Sequence, residues 1–155
     1  MKEDIVQAQA QFVREQVGRT YLSDWMLVDQ ALIDRFAETT DDHAFIHVEP
    51  EAAREAGFDG TIAHGFLTLS LLAPMRGQIS RPVFPGLRSG YNYGLDGVRF
   101  LAPVAAGKRI RGRMTVASIE ERQPGRFREA LDVVVEIEGE DTPALVATWI
   151  TLHVT

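Results

Sequence analysis

The amino-acid sequence predicts an α+β domain in which an antiparallel sheet wraps on a central helix. Three observations carry that prediction. Helical patterns fill the first half of the chain. One of them, from His64 to about Gly77, is apolar on nearly all sides. The second half is dominated by segments that alternate apolar and charged residues at a period of two. With 155 residues and 45% hydrophobic content the chain can bury one sizeable core, and no internal repeat or low-complexity segment divides it.

Taken in order, Ile5, Phe12 and Val13 lie near one helical face and Gly18 stands where a C-terminal cap belongs. Residues 4–17 therefore read as a helix, and 1–18 as a helical extension ahead of a domain over 19–155. Thr20 to Val28 carries Tyr21, Trp25 and Val28 without helical period and reads as a strand. Asp29 then caps a helix running to about Thr39, which delivers the chain to Asp42. Pro50, the run Glu51 to Ala56 and Gly57 supply start and stop signals for a short helix. In the next helix Phe66, Leu67, Leu69, Leu71, Leu72 and Met75 leave no polar face, so it should be surrounded by protein.

Ser80 to Gly90 holds Pro82, Pro85, Gly86 and Gly90 and reads as a loop. Strands follow. Ile110, Gly112, Met114 and Val116 alternate with Arg109, Arg111, Arg113 and Thr115, and Leu131, Val133, Val135 and Ile137 repeat the pattern. Gln123-Pro124-Gly125 marks the turn between these strands, and Pro143 to His153 supplies another rich in Val, Thr, Ile and Trp.

Composition narrows the chemistry. The chain has no cysteine, so disulfides, a thiolate nucleophile and cysteine-ligated metal are all unavailable. The acidic, polar start lacks an export pattern, and the longest apolar run, Phe66 to Met75, is interrupted by Pro74 and short of the ~20 residues of a membrane span. A soluble, cytoplasmic protein is expected. A net charge of −6 argues against a nucleic-acid partner. Charge is nonetheless uneven: from Arg99 to Arg128, eight Arg and Lys side chains face only Glu120 and Glu121. Such a basic face could hold an anionic small molecule, although a solvated strand face is the commoner meaning.

The residues suited to chemistry cluster between positions 42 and 65. Asp42 and His47 are five apart, which is not a helix-face spacing, so they converge only if the chain turns between them, as a loop would allow. A carboxylate and an imidazole sharing one water can do general acid-base work worth ~10²–10⁴-fold in rate. Gly65 opens the apolar helix, where the first amides lack intrahelical partners and can bind a developing oxyanion. His64 beside it is a candidate for the same thioester-binding role or for orienting the segment. His43 and His47, with Asp41, Asp42 or His64, could be drawn as a metal site, but no H-E-x-x-H or metal-loop pattern supports it. Asp41 is better suited to ending the preceding helix.

Three runs together, Thr40 to Pro50, Gly60 to Gly65 and Tyr91 to Val104, resemble the MaoC-type dehydratases, specifically the nodulation-protein-N-like branch. The resemblance implies a hotdog fold, with a curved antiparallel sheet around a long central helix, usually dimerised. It also implies (R)-specific hydration of trans-2-enoyl thioesters, or dehydration of (R)-3-hydroxyacyl thioesters, on coenzyme A or an acyl carrier protein. Asp42 and His47 match the family's catalytic pair, and Gly65 falls where a backbone amide binds the thioester oxygen. No metal or redox cofactor is implied. Many relatives carry Gly-Asp-x-Asn-Pro where this chain has Asp41 to Phe45; Phe45 is thus placed to reshape the acyl pocket. Asn92 and Arg99 are candidates for the tunnel mouth, meeting the carrier's phosphates. Two other functions fit the same features: a hotdog acyl-CoA thioesterase, and a non-catalytic acyl-binding module. A homodimer is expected, because an open sheet leaves an edge that pairing covers.

Overall fold

The computed structural model describes residues 2–155, so Met1 of the expected extension lies outside the described residues. Helix α1 spans Lys2–Gln16 and is followed by Gly18 at φ +85°, the left-handed conformation that ends a helix without steric cost in glycine. The strand expected over 20–28 is two short ones, β1 (Thr20–Leu22) and β2 (Met26–Val28), both paired antiparallel to the same neighbour. Between them Ser23 takes over the ladder: its N–H donates to the Gly112 carbonyl at 2.9 Å, and its Oγ accepts from the Gly112 N–H at 2.9 Å.

Asp29 caps α2 (Gln30–Thr40) by accepting from the Leu32 N–H at 2.8 Å, as the sequence predicts. Asp41 ends it with φ 55°, the one non-glycine residue with positive φ among the described residues. The chain then forms one helical turn, α3 (Phe45–Val48), where a loop was expected; four residues are too few to show a period. Helix α4 (Pro50–Glu55) starts on its proline.

The central helix is also divided, into α5 (Gly65–Ser70) and α6 (Leu72–Gln78), with Leu71 at φ −69°, ψ −8° between them. Pro74 explains the joint, since it has no N–H to donate and its ring crowds the carbonyl of Ser70 four residues earlier. Nor is this helix covered all round: Leu67, Leu72 and Met75 are buried, but Phe66 is 70% exposed. Only one side of α5 meets the sheet.

That sheet contains β3 (Ser89–Phe100), β4 (Lys108–Gln123), β5 (Arg126–Ile137) and β6 (Leu145–Val154), ordered β1-β4-β5-β6-β3 with β2 beside β1 on β4. All pairs are antiparallel. The turn at Gln123-Pro124-Gly125 joins β4 to β5, with Gly125 at φ +69°. One face buries Ile110, Met114, Val116, Leu131, Val133, Val135, Leu145 and Trp149 against Leu67, Leu72 and Met75. Gly112 permits the closest approach: a Cβ there would lie 3.2 Å from Met75 Sδ. A helix laid in the hollow of a single curved antiparallel sheet is the hotdog fold. Strand β3 is the terminal strand on one side, and its register on β6 shifts twice, between Asn92 and Gly94 and between Asp96 and Arg99.

A buried ionic cluster fastens the far end of the central helix. Glu129 on β5 is 1% exposed and receives Arg76 at 2.6 Å, Arg81 at 2.6 Å and His153 Nε2 at 3.1 Å. Burial pushes its carboxyl up, but the hydrogen bonds from His153 and Arg81 and the charges of Arg81 and Arg76 outweigh burial and hold it at about 2. Arg81 also donates to Gln16 on α1 at 3.2 Å, so the cluster ties α1, α6, β5 and β6 together.

The basic window is largely neutralised by glutamates of the neighbouring strand. Arg111 and Arg113 both reach Glu136, at 2.7 and 2.9 Å, and Arg109 pairs with Glu138. It is chiefly a salt-bridged strand face. No helix among the described residues is long and apolar enough to cross a membrane.

Candidate active site

Asp42 and His47 meet. The chain reverses after Asp41, and the single turn of α3 then carries His47 back, so that Asp42, His47 and His64 each bring one donor atom within 4.8 Å of the others. His47 is 8% exposed, His64 is 2% exposed, and Asp42 faces solvent.

Two segments cross-bond to fix this geometry. Thr61 to His64 runs beside Asp42 to His47: the Ile62 N–H donates to the Ile46 carbonyl at 2.9 Å, and His47 Nδ1 lies 2.7 Å from the Ile62 carbonyl oxygen. A carbonyl only accepts, so Nδ1 carries the proton and Nε2 of the neutral ring is left with a lone pair. His64 Nε2 lies 2.9 Å from the backbone carbonyl of Asp42, which assigns its proton by the same logic. The two imidazoles stack, with centroids 3.8 Å apart and planes 24° from parallel.

Stacking bears on the metal alternative. A cation shared by both rings needs their in-plane lone pairs to converge. Here the ring planes are close to parallel, and each ring gives one nitrogen to a carbonyl, the bond that also orients a metal-binding imidazole and leaves its other nitrogen available. His43 lies outside the trio, with its ring nitrogens 3.6 Å from Asp41 and 3.9 Å from Glu38. The trio therefore offers groups suited to proton transfer and equally a set of possible metal ligands.

Beside His47 a cleft of about 370 Å³ is lined by Ile46, Ile62, Ala63, Gly65, Thr68, Phe100 and the segment Leu101 to Val104. That volume falls in the range of small-molecule sites. Gly65 opens α5 here, and a Cβ at this position would press on the Phe100 ring, 3.1 Å from its Cδ1 and Cε1. Glycine avoids that crowding where the first turn of α5 meets the cleft lining.

Residues 12–136 of the chain match the MaoC-like domain family. This protein belongs to that family. Over 131 residues it is 51% identical to Nodulation protein N of Rhizobium leguminosarum bv. viciae, covering 84% of this chain and 81% of the relative. It is 40% identical over 140 residues to 3-hydroxyacyl-thioester dehydratase Z of Mycobacterium tuberculosis, covering 90% and 89%. Among solved structures, the MaoC-like dehydratase of Rhodospirillum rubrum superposes with a TM-score of 0.73 at 23% identity, covering 89% of this chain and 92% of that one. The (R)-hydratase of A. caviae gives 0.72 at 23% identity, covering 88% and 95%.

In this MaoC-like domain three of the other expected site residues sit away from the cleft lining. Phe45 is 44% exposed, because a separation of two along a helical turn points it nearly opposite His47; Ile46 and Phe100 are the apolar walls instead. Asn92 pairs across the sheet with Thr151 and accepts from Trp149 Nε1 at 3.0 Å. Arg99 folds back to donate to the Val98 carbonyl at 2.7 Å.

The structure adds residues that sequence reasoning missed. Gln30, at the start of α2, donates to the His47 carbonyl at 2.8 Å and accepts from the Thr61 hydroxyl, bracing both crossing segments. Phe36 packs against the His64 ring, tilted, with centroids 5.0 Å apart. Local sequence marks neither; each acts through a neighbour brought close only by folding.

Proposed function

We propose that this protein is a hydro-lyase acting on acyl thioesters. It adds water to trans-2-enoyl thioesters with (R) stereochemistry, or in reverse dehydrates (R)-3-hydroxyacyl thioesters, delivered on coenzyme A or an acyl carrier protein. The observation that carries this reading is the meeting of Asp42 and His47 beside Gly65 at the edge of an apolar cleft. The name of the Mycobacterium tuberculosis relative points the same way.

In the hydration direction Asp42 and the lone pair on His47 Nε2 hold one water against the β-carbon. The water oxygen bonds to that carbon, Nε2 takes its proton, and electron density moves onto the thioester oxygen, which the Gly65 amide stabilises. Collapse of this enolate takes a proton back at the α-carbon, so water is added in full. Dehydration retraces the path. The scheme asks for no metal or redox cofactor.

A homodimer completes the proposal. Strand β3 ends the sheet with Tyr93, Leu95 and Phe100 exposed, and Leu101 beyond it, and a second copy pairing there would cover them.

With crotonyl-CoA the protein is expected to bleach the conjugated enoyl absorbance without releasing free thiol. Asp42→Asn and His47→Gln are each expected to slow this at least ~100-fold while circular dichroism stays unchanged. Full activity in both variants would refute the assignment, and stoichiometric thiol release would mark a thioesterase instead.

A further inference from the structure

His64 touches both members of the proposed catalytic pair yet does not line the cleft. It is 2% exposed, stacked on the ring of His47 and in tilted contact with that of Phe36. Its Nε2–H donates to the Asp42 backbone carbonyl, and its Nδ1 is buried with no hydrogen-bond partner among the described residues. A group so enclosed has no nitrogen to offer a thioester, which leaves the oxyanion role to the Gly65 amide alone.

We infer that His64 is a positioning residue that sets the angle at which the Asp42 carboxylate and His47 Nε2 meet. The inference rests on the hydro-lyase reading of the site. Two contacts do this work at right angles to each other. The in-plane N–H pins the backbone of Asp42, where the chain has just left α2 through the left-handed Asp41. The face of the ring supports His47, whose other constraint is the bond from Nδ1 to Ile62. That bond leaves His47 free to swing about the Nδ1–carbonyl line, and the stack removes this freedom. Histidine is the one small side chain that supplies an aromatic face and an edge donor of this reach together: phenylalanine keeps the face and loses the donor, while glutamine keeps a donor and loses the face. Buried polar atoms normally find partners, so the lone Nδ1 marks a residue kept for its other two contacts.

The test uses the full chain. Steady-state hydration of crotonyl-CoA is measured for wild type and for His64→Ala, His64→Phe and His64→Gln, and ¹⁵N NMR follows the ring nitrogens of His47, identified by their loss in His47→Gln. Misplacing a reacting group by about 1 Å costs on the order of 100-fold. His64→Ala is therefore expected to lower kcat ~100-fold with KM within about threefold, while His64→Phe and His64→Gln each recover part of the loss. The His47 nitrogens are expected to show the single Nδ1–H form in wild type and averaged signals in His64→Ala.

Three results would overturn the inference: kcat within twofold of wild type in His64→Ala, a rise in KM at constant kcat, or Phe and Gln variants no better than Ala. An unchanged His47 spectrum in His64→Ala would do so as well. If His64→Ala does not fold, the Phe and Gln variants decide by the same criteria. Should wild type fail to hydrate crotonyl-CoA, the hydro-lyase reading falls, and the NMR comparison still decides whether His64 orients His47.

Discussion

Replacing Glu129 with Gln removes the one buried negative charge that Arg76, Arg81 and His153 share, while keeping the size of the side chain. Its carboxyl is held at about 2 against an ordinary 4.5, a difference of about 2.5 units. At ~1.4 kcal/mol per unit, the folded state gains ~3 kcal/mol from the ionised form. Because the shift is downward, that stabilisation is complete well above pH 4.5 and is lost as pH falls from there toward 2. At pH 7, Glu129→Gln is expected to cost ~3 kcal/mol, in line with other buried ion pairs broken on one side, and to lower Tm by roughly 6–12 °C. Urea unfolding of wild type and variant at pH 7, 5, 4 and 3 checks both the size and the sign. The gap between the two proteins should be widest at pH 7 and narrow steadily below 4.5. A gap under ~0.5 kcal/mol at pH 7, or one that stays constant down to pH 3, would refute the argument.

Two further outcomes follow from single contacts. Gly65→Ala places a methyl 3.1 Å from the Phe100 ring, so that wall of the cleft must give by a few tenths of an ångström; turnover of crotonyl-CoA is expected to fall severalfold with a near-native thermal melt. Asp29→Ala removes the bond to the Leu32 N–H and is expected to cost ~1 kcal/mol in urea unfolding at neutral pH, with the site chemistry intact.

What could be read from the sequence was what local chemistry decides. Asp29, Pro50, Gly18 and the Gln123-Pro124-Gly125 turn fix helix ends and a hairpin by contacts within a few residues, and each appears where expected. The alternation is legible because one face is buried from Ile110 to Val116 in β4 and along β5 from Phe127 to Ile137. Strand β3 is not legible in the sequence: Gly90, Gly94 and Gly97 interrupt the pattern, and its mostly exposed residues carry no inside-outside signal. Pro74 held the clue to the joint at Leu71, but the apolar run around it reads as one continuous helix. At the site, Asp42, His47 and Gly65 stand in recognisable runs. The bonds of His64, Gln30 and Thr61 depend on the register of two crossing segments, which no spacing along one segment reports.

The two register shifts of β3 matter beyond its pairing with β6. A straight, regular margin would accept almost any extended peptide, and that is how sheets seed runaway fibrils. By corkscrewing the margin at two defined points, the fold makes it a poorer platform for such peptides. The two shifts thereby turn this margin away from the flat template on which indiscriminate stacking depends.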